Sequence, residues 1–492
     1  MYLYKTIQIL NIKRLIFFFS LFIITITTIT CKKDPAIPIF GDFPVGVNEI
    51  FSTKCATSGC HNNSSYQGAA HLNLSSYASL FRGSNNGSPV IPYRSDFSSL
   101  CYFINTYSEY GLTNSPTMPL YANPLSKAEV KTIKNWIDNG APDINGNIMW
   151  SDNPLRKKYY VLNQGCDVVT VFDAKTQLPI RYINVGNIPN IAESPHMIRV
   201  SPDGQYWYVI FVANTILQKY RTSDDSFVGE ISLGAYQSWN TIVISDDSKK
   251  AYCVSWQASS RLAVVDLDNM QLLYNVGGGN FTDAHGIALN KTNDTIYITR
   301  QTGNYIYKID TAFNTGFQEI SLDGNTTNAT SSLDPHEITF SPDGSKYFVS
   351  CQTSNQVRVM STLGNVLLQT INTGQYPLEF AKSISANKLY ITCQNEPGLT
   401  TNSKGSVTVI DMTTYQATNY LVGYQPHGIT LDETNGLVIV ASRNILNNGP
   451  TPHHTGVCGR NGFVNYFNMN TMQLLSKKTE VAADPYSVAI RP

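Results

Sequence analysis

From residue 156 to the C-terminus, apolar positions come in short runs separated by turn-forming residues, and one phrase recurs. It is a short strand opening on His or a substitute and running into a polar turn. It reads HMIRVSPDG (196–204), NTIVISDDS (240–248), HGIALNKTN (285–293), HEITFSPDG (336–344), LEFAKSISA (378–386), HGITLDETN (427–435) and YSVAIRP (486–492). A second strand follows each of the first six, as in WYVIFV and YFVSCQ, and an extra copy, YYVLNQ, stands at 159–164. Third strands end near Asp, as in VVTVFD (168–173), and fourth strands run into Gly, as in IRYINVG (180–186). Four strands about every 48 residues, seven times over, predict a seven-bladed β-propeller. The chain enters on a second strand and ends on a first one. YSVAIRP must therefore complete the blade begun by YYVLNQ and VVTVFD, which closes the ring and hides its edges.

The SPDG turns and the Y-V-T-N-like second strands resemble the YVTN family of seven-bladed propellers over 156–492. That resemblance implies a fold and little about function, because propellers host many activities. First strands line a propeller's channel, so same-register residues converge on one circle. His196, His285, His336 and His427 share that position, with Asn240, Leu378 and Tyr486 completing it. Four imidazoles there could ligate copper or zinc, or bind an anionic ligand; they could equally serve only to bond a neighbouring blade or channel water. His285 and His336, from adjacent blades, make the best metal pair. An insertion in the last blade (442–462) carries His453, His454 and Cys458, a cluster that could bind copper or simply order a surface loop. Cys351 and Cys393, at equivalent positions of adjacent blades, read as buried packing residues, with a disulfide as the alternative.

Ahead of the repeats the pattern changes. From about Ser126, Ala128, Val130, Ile133, Trp136 and Ile137 fall on one side of a helix that Gly140 terminates. Upstream, FSTKCATSGCH (51–61) sets Cys55, Cys60 and His61 in the order C-x-x-x-x-C-H, a widened form of the C-x-x-C-H haem-attachment motif. Two thiols add to the porphyrin vinyl groups and the adjacent His sits beneath the iron. The wider gap can bulge outward at Gly59 without moving the Cys-His pair. Met118 lies on a polar, Pro-punctuated loop where a thioether serves no core. This order resembles small monohaem cytochromes c over roughly 46–145: attachment helix, Met loop, closing helix ending in WI-x-x-GA. The resemblance implies one covalent haem c on Cys55 and Cys60, its iron held by His61 and Met118, a pair suited to electron transfer. His71 is the rival distal ligand. A Cys55–Cys60 disulfide, or a zinc site drawing on His61 and His71, is the rival use of the motif. Cys101 has no assigned role.

The first fifteen residues carry Lys5, Lys13 and Arg14 and no acid; Ile16 to Ile29 then carries no charge. That run is too short to span a bilayer as a helix and has the layout of a secretory signal peptide. It ends at Cys31, which resembles a bacterial lipobox and implies lipidation there. Lys32 behind it points to the outer membrane. The expected organisation is a signal peptide at 1–30, a Pro-rich tether at 31–45, a small all-α cytochrome c-like domain at 46–150 and an all-β propeller at 156–492.

Composition narrows the function. The 492 residues carry 35 Lys+Arg and 35 Asp+Glu, and a neutral chain without a basic stripe lacks the footprint of a nucleic-acid binder. No phosphate loop, G-x-S-x-G elbow or H-E-x-x-H is present, so nucleotide-dependent, hydrolase and common metalloprotease readings have no motif. The expectation is an exported, lipid-anchored electron carrier whose partners are redox proteins of the cell envelope, with the propeller as docking platform. One rival is a periplasmic oxidoreductase whose channel holds a second metal or cofactor, which resembles in architecture the haem-dependent nitrite reductases and some periplasmic dehydrogenases. The other is a propeller that binds an extracellular polymer or protein, with the haem accessory.

Overall fold

Lys158–Asn163 (β1) pairs antiparallel with Val168–Asp173 (β2) on one side and with the C-terminal Pro485–Ile490 (β28) on the other. Leu178–Asn184 (β3) completes that blade, so the last strand of the chain is the innermost strand of the first sheet formed. In the computed structural model, which describes residues 41–235, 238–326, 333–397, 404–444 and 462–492, the strands β1–β28 form seven four-stranded sheets. The protein is a seven-bladed propeller. Cys31, His453, His454 and Cys458 lie outside the described residues. No helix among the described residues is long and apolar enough to cross a membrane.

The innermost strands are Pro195–Val200 (β4), Trp239–Ile244 (β8), Ala284–Leu289 (β12), Pro335–Phe340 (β16), Pro377–Ser383 (β20), Pro426–Asp432 (β24) and β28. Each contacts the next and β28 contacts β4, which closes the ring. The turns that leave β4, β8 and β16 are built by the same chemistry. Ser201, Ser245 and Ser341 each hydrogen-bond the Asp two residues on, and that Asp accepts a backbone N–H in turn. The residue after that Asp is left-handed at Gly204, Ser248 and Gly344, and Asn293 is left-handed in the turn after β12, which is why Gly and small polar residues recur there.

Apolar side chains fill the space between blades. Tyr160, Val171, Trp207 and Val209 pack in one such layer, where Trp207 stacks on Tyr220 at 3.9 Å; Tyr208, Trp239, Ile242 and Cys253 pack in the next. Every residue of β1 and β2 is buried because each face meets a neighbouring blade, so these strands read as apolar runs without alternation. Fourth strands, by contrast, show solvent-facing residues such as Phe227 and Leu421.

The segment before the blades is helical: Val45–Ile50 (α1) running into a π-helical turn at Phe51–Cys55, then Tyr77–Leu80 (α2), Ser99–Ile104 (α3) and Lys127–Asp138 (α4). Ser126 and Glu129 form a reciprocal capping box at the start of α4, and Gly140 just past its end has φ +95°. Val130, Ile133, Trp136 and Ile137 are buried as the spacing predicts; Ala128 is exposed, because it sits in the first turn beyond the edge of the packed face. Residues 41–43, within the tether expected at 31–45, are packed. Gly41 and Asp42 carbonyls accept from the amides of Tyr77 and Ile144, and Phe43 is a buried apolar anchor against Phe51 and Trp136.

The helical segment is seated on the blade that closes the ring. Phe97 stacks on Tyr182 at 4.2 Å, Arg94 donates to the Tyr182 carbonyl and to Asn184, and Ile91 joins Val168, Tyr182 and Ala482 in one apolar cluster. Gly83 permits the contact: a Cβ there would lie 2.9 Å from a Leu178 methyl.

Candidate functional site

Two groups of side chains stand apart from packing. The first is at the end of α1. Cys55 closes the π-helical turn, and the chain folds back so that the His61 amide donates to the Cys55 carbonyl at 3.1 Å. The four intervening residues loop out with Gly59 at φ +80° and open space around it. The turn is held against α4 by Lys54–Glu129 at 2.6 Å and by the edge-on rings of Phe51 and Trp136.

His61 Nδ1 faces the Leu72 carbonyl at 3.0 Å, and since a carbonyl only accepts, Nδ1 carries the proton and Nε2 presents its lone pair. Burial pushes the His61 pKa down and so favours that neutral form. Cys55 is buried, and burial together with the nearby Cys60 thiol pushes it up to about 12. Cys55, Cys60 and Cys101 are free thiols, so the Cys55–Cys60 disulfide does not form. Nor do Cys55, Cys60 and His61 converge as zinc ligands: among the described residues the one triple of His, Cys, Asp or Glu whose ligand atoms come together lies elsewhere. His71 is exposed at φ +58° with its ring edge-on to Tyr66. Met118 is half-buried on a loop fastened to α3, its amide donating to the Phe103 carbonyl at 2.7 Å. A neutral imidazole with its outer nitrogen held by a carbonyl, beside two unbridged cysteines, is a donor set that fits a covalently attached haem.

The second group lines the propeller channel. His196, His285, His336, His427 and Tyr486 are all buried and their rings run side by side: 6.2 Å from His196 to His285, 4.0 Å from His285 to His336, 5.8 Å from His336 to His427. They do not form one four-imidazole site. His196 Nδ1 meets the Gln164 amide at 2.8 Å, and His427 bonds the Tyr486 carbonyl at 3.0 Å and stacks on its ring at 3.6 Å. His285 and His336 are the pair the fold brings closest, and a third residue joins them. Ligand atoms of His285, His336 and Glu337 all lie within 4.8 Å of one another.

Glu337 and its counterpart Glu379 on β20 were not among the residues singled out by pattern. They occupy the position after the ring residue, which strand alternation would turn away from the channel. The ladder slips there: the register shifts between Pro335 and Ile338 in β16 and between Pro377 and Phe380 in β20. The available signal was a Glu inside an otherwise apolar inner strand. Burial is the main cause that raises both carboxyls above the ordinary range, with Glu379 adding to the effect on Glu337; Arg199, 3.8 Å from Glu379, opposes it. Burial pushes the His285 pKa down to about 4.

Cys253, Cys351 and Cys393 are buried free thiols, so the Cys351–Cys393 alternative does not hold, and Cys166 is disulfide-bonded.

No protein-family model and no curated protein matches the chain. Solved structures match it at low identity. A functionally unknown protein from Desulfotomaculum acetoxidans is 15% identical over 67% of this chain and 99% of its own, with a TM-score of 0.49. Hydrazine synthase of Kuenenia stuttgartiensis is 15% identical over 63% and 93%, with a TM-score of 0.49. A candidate 6-phosphogluconolactonase from Bacteroides uniformis is 13% identical over 68% and 99%, with a TM-score of 0.50. At such identities the likeness speaks for the fold alone.

Proposed function

We propose that this protein is an exported monohaem c-type cytochrome that passes single electrons, with the propeller as a docking platform for redox partners of the cell envelope. The observation that carries the reading is the His61–Leu72 hydrogen bond beside two free cysteines, in a chain whose motif orders them C-x-x-x-x-C-H. Cys55 and Cys60 would hold the porphyrin through thioethers, and His61 and Met118 would hold the iron. The haem, when bound, supplies a one-electron couple whose potential a thioether ligand raises.

The chain's own residues do the rest. The Leu72 carbonyl fixes the tautomer and orientation of His61. The Lys54–Glu129 pair and the Phe43, Phe51 and Trp136 rings hold the attachment turn against α4. The Phe97–Tyr182 stack and the Arg94 bonds seat the helical segment on a blade, so a partner docked on the propeller meets the haem-bearing segment in a set geometry. Lipidation of Cys31 and an outer-membrane address belong to the same reading and rest on residues 1–33.

The test is production of the full chain together with a c-type haem maturation system. One iron per chain and haem that survives denaturing electrophoresis are expected, and both should be lost in Cys60→Ala. A chain that matures without haem and keeps Cys55 and Cys60 reactive would sink the proposal.

A further inference from the structure

We propose that His285, His336 and Glu337 form a binding site for one divalent transition-metal cation inside the propeller channel. The site is independent of the haem.

Four observations converge on it. The ligand atoms of these three buried residues lie within 4.8 Å of one another, close enough for one ion to touch all three after small side-chain adjustments. They come from two adjacent inner strands, β12 and β16, and the slip in β16 lets the consecutive residues His336 and Glu337 aim at the same point. His285 Nδ1 donates to the His336 carbonyl at 3.1 Å, which fixes the tautomer and leaves Nε2 as the ligand atom. Glu337 Oε1 accepts from the Ile338 amide at 3.3 Å, while its Oε2 is buried with no hydrogen-bond partner. A buried carboxylate oxygen without a donor is costly, and a cation is the partner it lacks.

The surroundings agree. Gly286 puts no side chain into this space: a Cβ there would lie 3.1 Å from Glu337 Oε1 and 2.5 Å from the His336 carbonyl. Glu379 on the next strand also has a buried oxygen, Oε1, without a partner, and Arg199 is the cation near it. Two carboxyl groups against one guanidinium leave room for added positive charge. Two imidazoles and one carboxylate select zinc and its transition-metal neighbours over magnesium and calcium, which prefer oxygen donors. Three protein ligands leave a coordination position open, the arrangement of sites that bind water or substrate at the metal.

The experiment is zinc binding to the full-length, haem-loaded chain after chelator dialysis, with zinc and iron counted separately by elemental analysis. One zinc per chain is expected, with affinity falling on the order of 100-fold in His285→Gln and in Glu337→Gln and no binding of magnesium. Zinc-edge X-ray absorption on the unmodified protein reads the site without any variant: nitrogen and oxygen donors near about 2.0–2.1 Å are expected. No stoichiometric zinc, zinc retained at full affinity in both variants, or a sulfur donor in the first shell would each overturn the proposal. Iron content stays a separate readout, so a chain lacking haem but binding zinc leaves this site standing.

Discussion

His427 Nδ1 lies 3.0 Å from the carbonyl oxygen of Tyr486, and the two rings stack at 3.6 Å. Tyr486 belongs to the C-terminal strand β28 and His427 to the preceding blade, so this contact fastens the strand that closes the ring. His285 repeats the relationship with the His336 carbonyl three blades away. The repeated His is thus a bolt between blades, and at His285 the same bolt frees Nε2 for a ligand.

Replacing His427 by Ala removes a buried hydrogen bond and a stacked ring. The expected loss is about 2 kcal/mol, seen as a lower urea midpoint with an unchanged slope. A midpoint equal to that of the parent would show that closure does not draw on this contact.

Deleting residues 485–492 leaves β1 with one bare edge and the ring open. The truncated chain is expected to aggregate, and a peptide of the missing strand added during refolding should recover soluble protein. Light scattering decides it; a soluble, folded truncation would count against closure by β28.

Lys158 Nζ contacts Asp225 at 2.7 Å, both side chains are nearly inaccessible, and Tyr160 also donates to Asp225. Lys158→Met strands a buried carboxylate and should cost about 3–5 kcal/mol, whereas changing both partners to apolar residues of similar size should be near neutral. Chemical denaturation of the single and double variants separates the two cases.

Burial raises the Cys351 and Cys393 thiols to about 12, against an ordinary value of 9.0. At pH 8 only about one part in ten thousand is thiolate, so both should resist maleimide until the protein is denatured. Their folded pKa lies above the unfolded one, so their contribution to stability is full below about pH 9 and declines as pH rises past it. Labelling followed by peptide mapping, at pH 8 and again near pH 10, checks both statements; rapid native labelling of either thiol would contradict the burial.

Local signals were enough for much of this protein. The helix at Lys127–Asp138 announces itself through Ser126, Glu129 and the spacing of Val130, Ile133 and Trp136, all within one short segment. The blade count and the closing role of YSVAIRP follow from a repeat that enters on one strand and leaves on another. Glu337 stayed hidden for a physical reason. Strand alternation places it opposite His336, and only the register slip reverses that. Phe43 sits among prolines and glycine, and its partners Phe51 and Trp136 are not apparent from its own neighbours.

The sequence by itself determined the seven blades, the histidine circle and the order Cys55, Cys60, His61, because each depends on spacing along the chain or on a strict repeat. Only the tertiary structure decided that Glu337 joins His285 and His336, that Phe97 docks on Tyr182, and that Lys158 finds Asp225. Those contacts arise between strands and segments far apart in sequence, where strand slips and the packing of neighbouring blades set the outcome, and neither leaves a local trace in the pattern of residues.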